Sequence, residues 1–84
     1  MYYIYILKSD LDNRLYVGYT KDLNKRINDH NSKRVNSTKN RGELRLIYYE
    51  AFVAMEDAIR KEKYYKSCSG RKHIKAHLIE SIKS

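Results

Sequence analysis

Aromatic and β-branched residues fill positions 2–8 (Tyr-Tyr-Ile-Tyr-Ile-Leu-Lys) with no polar residue before Lys8. A run of this kind predicts a strand covered on both faces. Residues 9–14, Ser-Asp-Leu-Asp-Asn-Arg, read as a polar turn, and residues 15–19 as a second strand. The two strands form a hairpin. Setting Tyr5 opposite Tyr16 leaves residues 9–12 as a four-residue loop, a common length, although other registers are open.

Beyond the hairpin the period changes to that of a helix. Thr20 is placed to cap a helix running to about Asn31, with Asp22 in its first turn. Leu23 and Ile27 are i, i+4 neighbours, His30 continues their stripe, and Arg26 lies beside it. Residues 31–42 show no period and read as a basic loop. Leu44–Phe52 predicts a third strand. Met55–Lys66 predicts a helix with Met55, Ala58, Ile59 and Tyr65 inward and Glu62 on the same stripe. Residues 67–70 should break the chain before a last helix over residues 71–82, with Ile74, Leu78 and Ile82 inward. The order β-β-α-β-α-α predicts a small α+β domain, a three-stranded antiparallel sheet flanked by helices.

Eighty-four residues make one domain, 1–84. Eighteen lysines and arginines against ten acids give a net charge of +8, a bias toward polyanions. The longest uncharged stretch is too short to span a bilayer, and the single Cys68 suits a reducing cytoplasm. Cys68 has no evident base and reads as structural. His73 and His77 are four apart but have no third ligand in view, so a metal pair there is a weak signal. In the basic segment, Lys33, Arg34, Lys39, Arg41 and Arg45 are candidates for contacts to a phosphate backbone.

Arg26, His30 and Glu62 stand where a simple core wants apolar side chains. Burying unpaired charge is costly, so such residues usually serve a site. Tyr5, Tyr16 and Gly18 lie on the two strands nearby in the hairpin. Together they supply what phosphodiester hydrolysis requires: a group to orient water, positive charge for the phosphate, and an oxygen ligand for a divalent ion. Taken singly, each has a plainer reading. The tyrosines fill cores, Arg26 snorkels, His30 favours a helix C-terminus, and Glu62 pairs with Lys66.

Tyr3-Ile4-Tyr5, ten residues, then Tyr16-Val17-Gly18 resembles the signature of the GIY-YIG nucleases. Thr20-x-x-Leu23-x-x-Arg26-x-x-x-His30 is similar to that family's first helix, and residues 58–62 to the segment carrying its metal-binding glutamate. Tyr3 replaces the first glycine of the signature and Val17 its second isoleucine. No asparagine follows the glutamate helix, where many members have one.

The resemblance implies a small stand-alone endonuclease that hydrolyses DNA, sequence-nonspecific or structure-directed, with RNA a possible substrate, using magnesium or manganese. Tyr5 would orient or deprotonate water, and Tyr16 would assist or touch the phosphate. Gly18 would allow close packing, and Arg26 would hold the phosphate. His30 would relay the tyrosine's proton, and Glu62 would be the one protein ligand of the ion. Two rivals keep the scaffold: a nucleic-acid-binding module without catalysis, and a subunit that depends on a protein partner for specificity.

Overall fold

The computed structural model describes residues 1–32 and 42–83. The elements are β1 (Tyr2–Ser9), β2 (Leu15–Thr20), α1 (Leu23–Asn31), β3 (Leu44–Phe52), α2 (Met55–Lys66), α3 (Cys68–His77) and α4 (Ile79–Lys83). The sheet order is β2-β1-β3, and both pairings are antiparallel. The α+β architecture is therefore the expected one, and β3 takes the free side of β1.

That choice explains the unbroken apolar run in β1. The strand is central, and every residue from 4 to 9 is buried. Ile4 and Ile6 point to one face, where they pack with Ala58 and Tyr65 of α2 and Ile74 of α3. Tyr5 and Leu7 point to the other, against Leu44, Leu23 and Ile27. A strand covered on both sides needs an apolar residue at each position rather than at alternate ones. Truncating Ile4 or Ile6 to alanine should cost about 2–5 kcal/mol, since neither has exposed surface to lose.

The hairpin register differs from the one predicted. Tyr5 pairs with Gly18, and Tyr16 pairs with Leu7. The turn is longer because Asn13 takes a left-handed conformation, φ 59°. The backbone closes through Ser9 N–H to Arg14 O and Asn13 N–H to Ser9 O, both 2.9 Å. Asparagine accepts that conformation more readily than most residues. A shift of two residues leaves each side chain on its expected face. On the other edge, Ile47 is the extra residue of a bulge, since Ile6 pairs with Tyr48 and Leu7 with Leu46.

Asp22, not Thr20, caps α1: its carboxylate accepts from Lys25 N–H at 3.1 Å. Thr20 ends β2, and its hydroxyl oxygen accepts from Asp22 N–H at 3.1 Å. The α2 limits are those predicted, although Met55 is 39% exposed and lies outside the core. Residues 67–70 do not form a break. Ser67 alone interrupts the helix, and its hydroxyl accepts from Gly70 N–H at 3.1 Å to cap α3. Gly70 is inside α3 because a Cβ there would overlap the Tyr64 carbonyl and lie 2.7 Å from Tyr65 Cα. The missing side chain lets α3 fold directly over the end of α2. The last predicted helix is two helices, divided at Leu78, with Ile74, Leu78 and Ile82 inward as expected.

Candidate active site

The centre of the site is the Tyr5 hydroxyl. β1 carries it into the face covered by α1, and the residue is 2% exposed. His30 lies in the last turn of α1 and is 4% exposed, with Nε2 at 2.9 Å from Tyr5 Oη. The two rings meet edge to face, 5.7 Å between centroids. Arg26, one turn earlier on the same helix, donates from Nε to Tyr5 Oη at 3.3 Å. The helical stripe Leu23, Ile27 and His30 thus serves two purposes. Its apolar members dock α1 on Tyr5 and Leu7, and its polar members meet the hydroxyl.

Gly18 faces Tyr5 across the strand pair, on the edge strand β2. A Cβ at Gly18 would overlap the Tyr5 hydroxyl and Cζ and lie 2.8 Å from Cε2. The glycine is therefore the space in which the end of the tyrosine lies. Tyr16 packs in the same cluster as Tyr5, two residues back along β2.

Glu62 comes from α2, which covers the opposite face of the sheet. Its side chain is 21% exposed and forms an ion pair with Lys66, one helical turn on, at 3.1 Å. Its negative charge still acts on Tyr5. Burial raises the Tyr5 pKa most, the Arg26 hydrogen bond and charge pull it down, and Glu62 adds a smaller rise. The net direction is upward, so Tyr5 is neutral at rest. Burial and the Arg26 charge lower the His30 pKa, with Asp29 opposing them, so its imidazole is neutral near pH 7. Arg26 also borders an open depression of about 280 Å³ with Lys21, Lys25, Asp22 and Asp29.

The structure thus brings Tyr5, Gly18, Arg26 and His30 into direct contact and puts Glu62 within electrostatic reach. The residues expected to meet a phosphate backbone are placed less fully. Lys33, Arg34, Lys39 and Arg41 lie outside the described residues. Arg45 is exposed and donates from Nε to Asp10 at 3.2 Å. His73 and His77 stack at 4.0 Å, and His77 Nδ1 lies 2.9 Å from His73 O. No group of three or more histidines, cysteines or acids able to hold a metal occurs among the described residues. Glu62 is one carboxylate that could serve as an oxygen donor. One carboxylate fits magnesium, which keeps most of its water and takes the rest from a phosphate. Asn31 was not foreseen. Its side chain donates to Leu44 O at 3.1 Å and accepts from Leu44 N–H at 3.0 Å, which ties α1 to β3.

Comparison with known proteins identifies the family. The family model of the GIY-YIG catalytic domain matches residues 1–75. The chain belongs to the GIY-YIG family. A UPF0213 protein of Clostridium perfringens is 37% identical over 84 residues, covering 99% of this chain and 89% of that protein. One of Staphylococcus saprophyticus is 40% identical over 75 residues, covering 88% and 90%. The solution NMR structure of a UPF0213 protein from Bacillus halodurans superposes with a TM-score of 0.59 at 36% identity, covering 96% of this chain and 87% of that one. The GIY-YIG family is one of nucleases, which makes nucleic acid the substrate class. Among the described residues, no helix is long and apolar enough to cross a membrane.

Proposed function

We propose that this GIY-YIG protein is a divalent-metal-dependent endonuclease that cleaves DNA without sequence specificity, as a single domain over residues 1–84. The observation that carries this reading is the Tyr5 hydroxyl held between a neutral imidazole and a guanidinium. The Tyr5 oxygen accepts from Arg26 and lies 2.9 Å from His30 Nε2, so with His30 protonated on Nδ1 the tyrosine's own proton is directed at Nε2. One lone pair is left to accept from an attacking water. As that water gives its proton to Tyr5 Oη, the tyrosine's proton moves to His30 Nε2. No free phenolate is needed, which suits a tyrosine whose pKa is raised.

Arg26 uses only Nε on Tyr5 in this arrangement, so its terminal nitrogens can hold the scissile phosphate and the charge that develops on it. Tyr16, packed beside Tyr5, would assist the water or touch this phosphate. Glu62 would hold magnesium or manganese, which supplies Lewis-acid stabilisation of phosphoryl charge. Lys66 is paired with the same carboxylate through Oε2 and would compete with the ion for it.

The same ion pair favours a second reading. An ammonium on Glu62 can take the place of the ion, and the scaffold then binds nucleic acid without cutting it. Plasmid incubated with magnesium, manganese or EDTA separates the two. Metal-dependent nicking is expected, and Glu62→Gln should lower it at least about 100-fold while DNA binding persists. Equal nicking by Glu62→Gln removes Glu62 from the site. Tight binding with no cleavage by any divalent ion leaves the second reading.

A further inference from the structure

A basic surface lies on the side of the sheet covered by α2 and α3. An open groove of about 630 Å³ separates the start of β2 from the end of α2 and from α3. Its rim carries Arg14, Lys66, Arg71 and Lys75, and no acid lines it. Its floor includes Val17 and Ile74, with Tyr16 at one side.

Two facts distinguish this from ordinary solvated charge. Arg71 and Lys75 are i, i+4 neighbours on α3, so they share a face and repel each other. Neither has an ion-pair partner among the described residues. Arg14 has only a 3.8 Å approach to Asp12, and Lys66 is the residue on Glu62. Cations gathered round a groove without acids raise the free energy of the folded chain, and a bound polyanion relieves it.

The groove reaches Glu62 on the α2 side of the sheet. Tyr16 adjoins it along β2 but packs its side chain on the other face, beside Tyr5. Lys66 lines it and touches Glu62. We infer that this groove holds the phosphodiester backbone of the substrate, with Arg14, Arg71 and Lys75 seating the phosphates that flank the scissile one. Lys66 then leaves Glu62 for the incoming strand, which frees the carboxylate as substrate arrives. The inference rests on the nuclease reading of the site.

The test is fluorescence anisotropy in EDTA, using labelled duplex and single-stranded oligonucleotides over a range of salt. The exposed triple variant Arg14→Ala/Arg71→Ala/Lys75→Ala should bind at least about tenfold more weakly at low salt. Its log–log salt slope on duplex should fall by ~2.7, at about 0.9 for each phosphate that is no longer neutralised. The charge-matched variant Arg60→Ala/Lys63→Ala/Lys83→Ala, away from the groove, should keep the wild-type slope. Arg71→Lys, which keeps the charge, should bind nearly as wild type.

Equal losses of affinity in the two triple variants would overturn the inference, because net charge would then explain both. An unchanged triple variant would overturn it too. So would loss of binding to phosphatidylserine vesicles with oligonucleotide binding intact, since the groove would then serve a membrane surface. The two readings fail separately. If the wild type cleaves and the groove variant cleaves with the same KM, the groove falls and the nuclease stands. If the wild type binds through the groove with no cleavage in any divalent ion, the nuclease reading falls and the backbone seat stands.

Discussion

Replacing Gly18 by alanine puts a methyl group where the end of the Tyr5 ring already lies. The added carbon would lie 2.8 Å from Tyr5 Cε2 and overlap Cζ and the hydroxyl. Carbon contacts are comfortable at about 3.5–4.0 Å, so the ring end must move by about 1 Å or more. The ring cannot swing freely, because Tyr5 is 2% exposed and enclosed by Leu7, Leu44 and the α1 stripe. Its hydroxyl contacts are 2.9 Å to His30 and 3.3 Å from Arg26. A shift of that size away from α1 takes both beyond hydrogen-bonding range. Overpacking costs about 1–3 kcal/mol, and a buried imidazole nitrogen left unpaired costs about 1–3 more. The expected loss is about 2–6 kcal/mol, or roughly 8–48 °C in Tm at about 4–8 °C per kcal/mol for a domain of this size. Cleavage should fall about 100-fold, as for a reacting group displaced by about 1 Å. Thermal melts followed by circular dichroism, with plasmid nicking below the transition, measure both. The double-mutant cycle with Tyr5→Phe adds a check on cause. Part of the clash disappears with the hydroxyl, so the two changes should be non-additive by about 1 kcal/mol or more. A Gly18→Ala protein that melts and cleaves as wild type would refute the packing of Tyr5 over Gly18, and an additive cycle would refute the coupling.

The remaining predictions concern stability. Tyr48 and Tyr65 both donate to the Glu50 carboxylate, at 2.7 and 2.6 Å, and burial first, then Glu50, raises both pKa values above 10.0. A raised folded-state pKa means stability is fully present below pH 10 and is lost as pH rises beyond it, by up to about 1.4 kcal/mol per pH unit for buried Tyr65. Urea midpoints measured from pH 8 to 11 should fall above pH 10 and fall less in Tyr65→Phe; a flat profile would contradict this. Asn31→Ala removes both side-chain bonds to Leu44 and should cost about 1–3 kcal/mol, read as an earlier urea midpoint at an unchanged m-value. Gly70→Ala should destabilise more than a usual helical Gly→Ala change would suggest, because its Cβ meets the Tyr64 carbonyl and not solvent; a Tm at or above wild type would show that α3 can move aside.

What the sequence determined by itself is what depends on local pattern. The unbroken run in β1 specified a strand covered on both faces, and the α2 stripe specified that helix to the residue, because period and apolar content are properties of neighbours in the chain. The Leu23, Ile27, His30 stripe and the inward Glu62 were legible for the same reason, and with them most of the residues that meet at Tyr5. Tertiary structure decided everything that depends on a partner far along the chain. The hairpin register follows from a left-handed Asn13 and the closure of Ser9 on Arg14, which no spacing rule requires. Gly70 reads as a helix breaker alone, and it becomes a helix residue only because the end of α2 occupies the space of its side chain. Asn31 carries no sign in the sequence that its amide will meet Leu44. Arg71 and Lys75 are visible as one helical face, but only the packing of α3 beside β2 sets Arg14 across from them. A charge near in space and distant in sequence leaves no period to read, and so the groove emerged from the fold and not from the pattern.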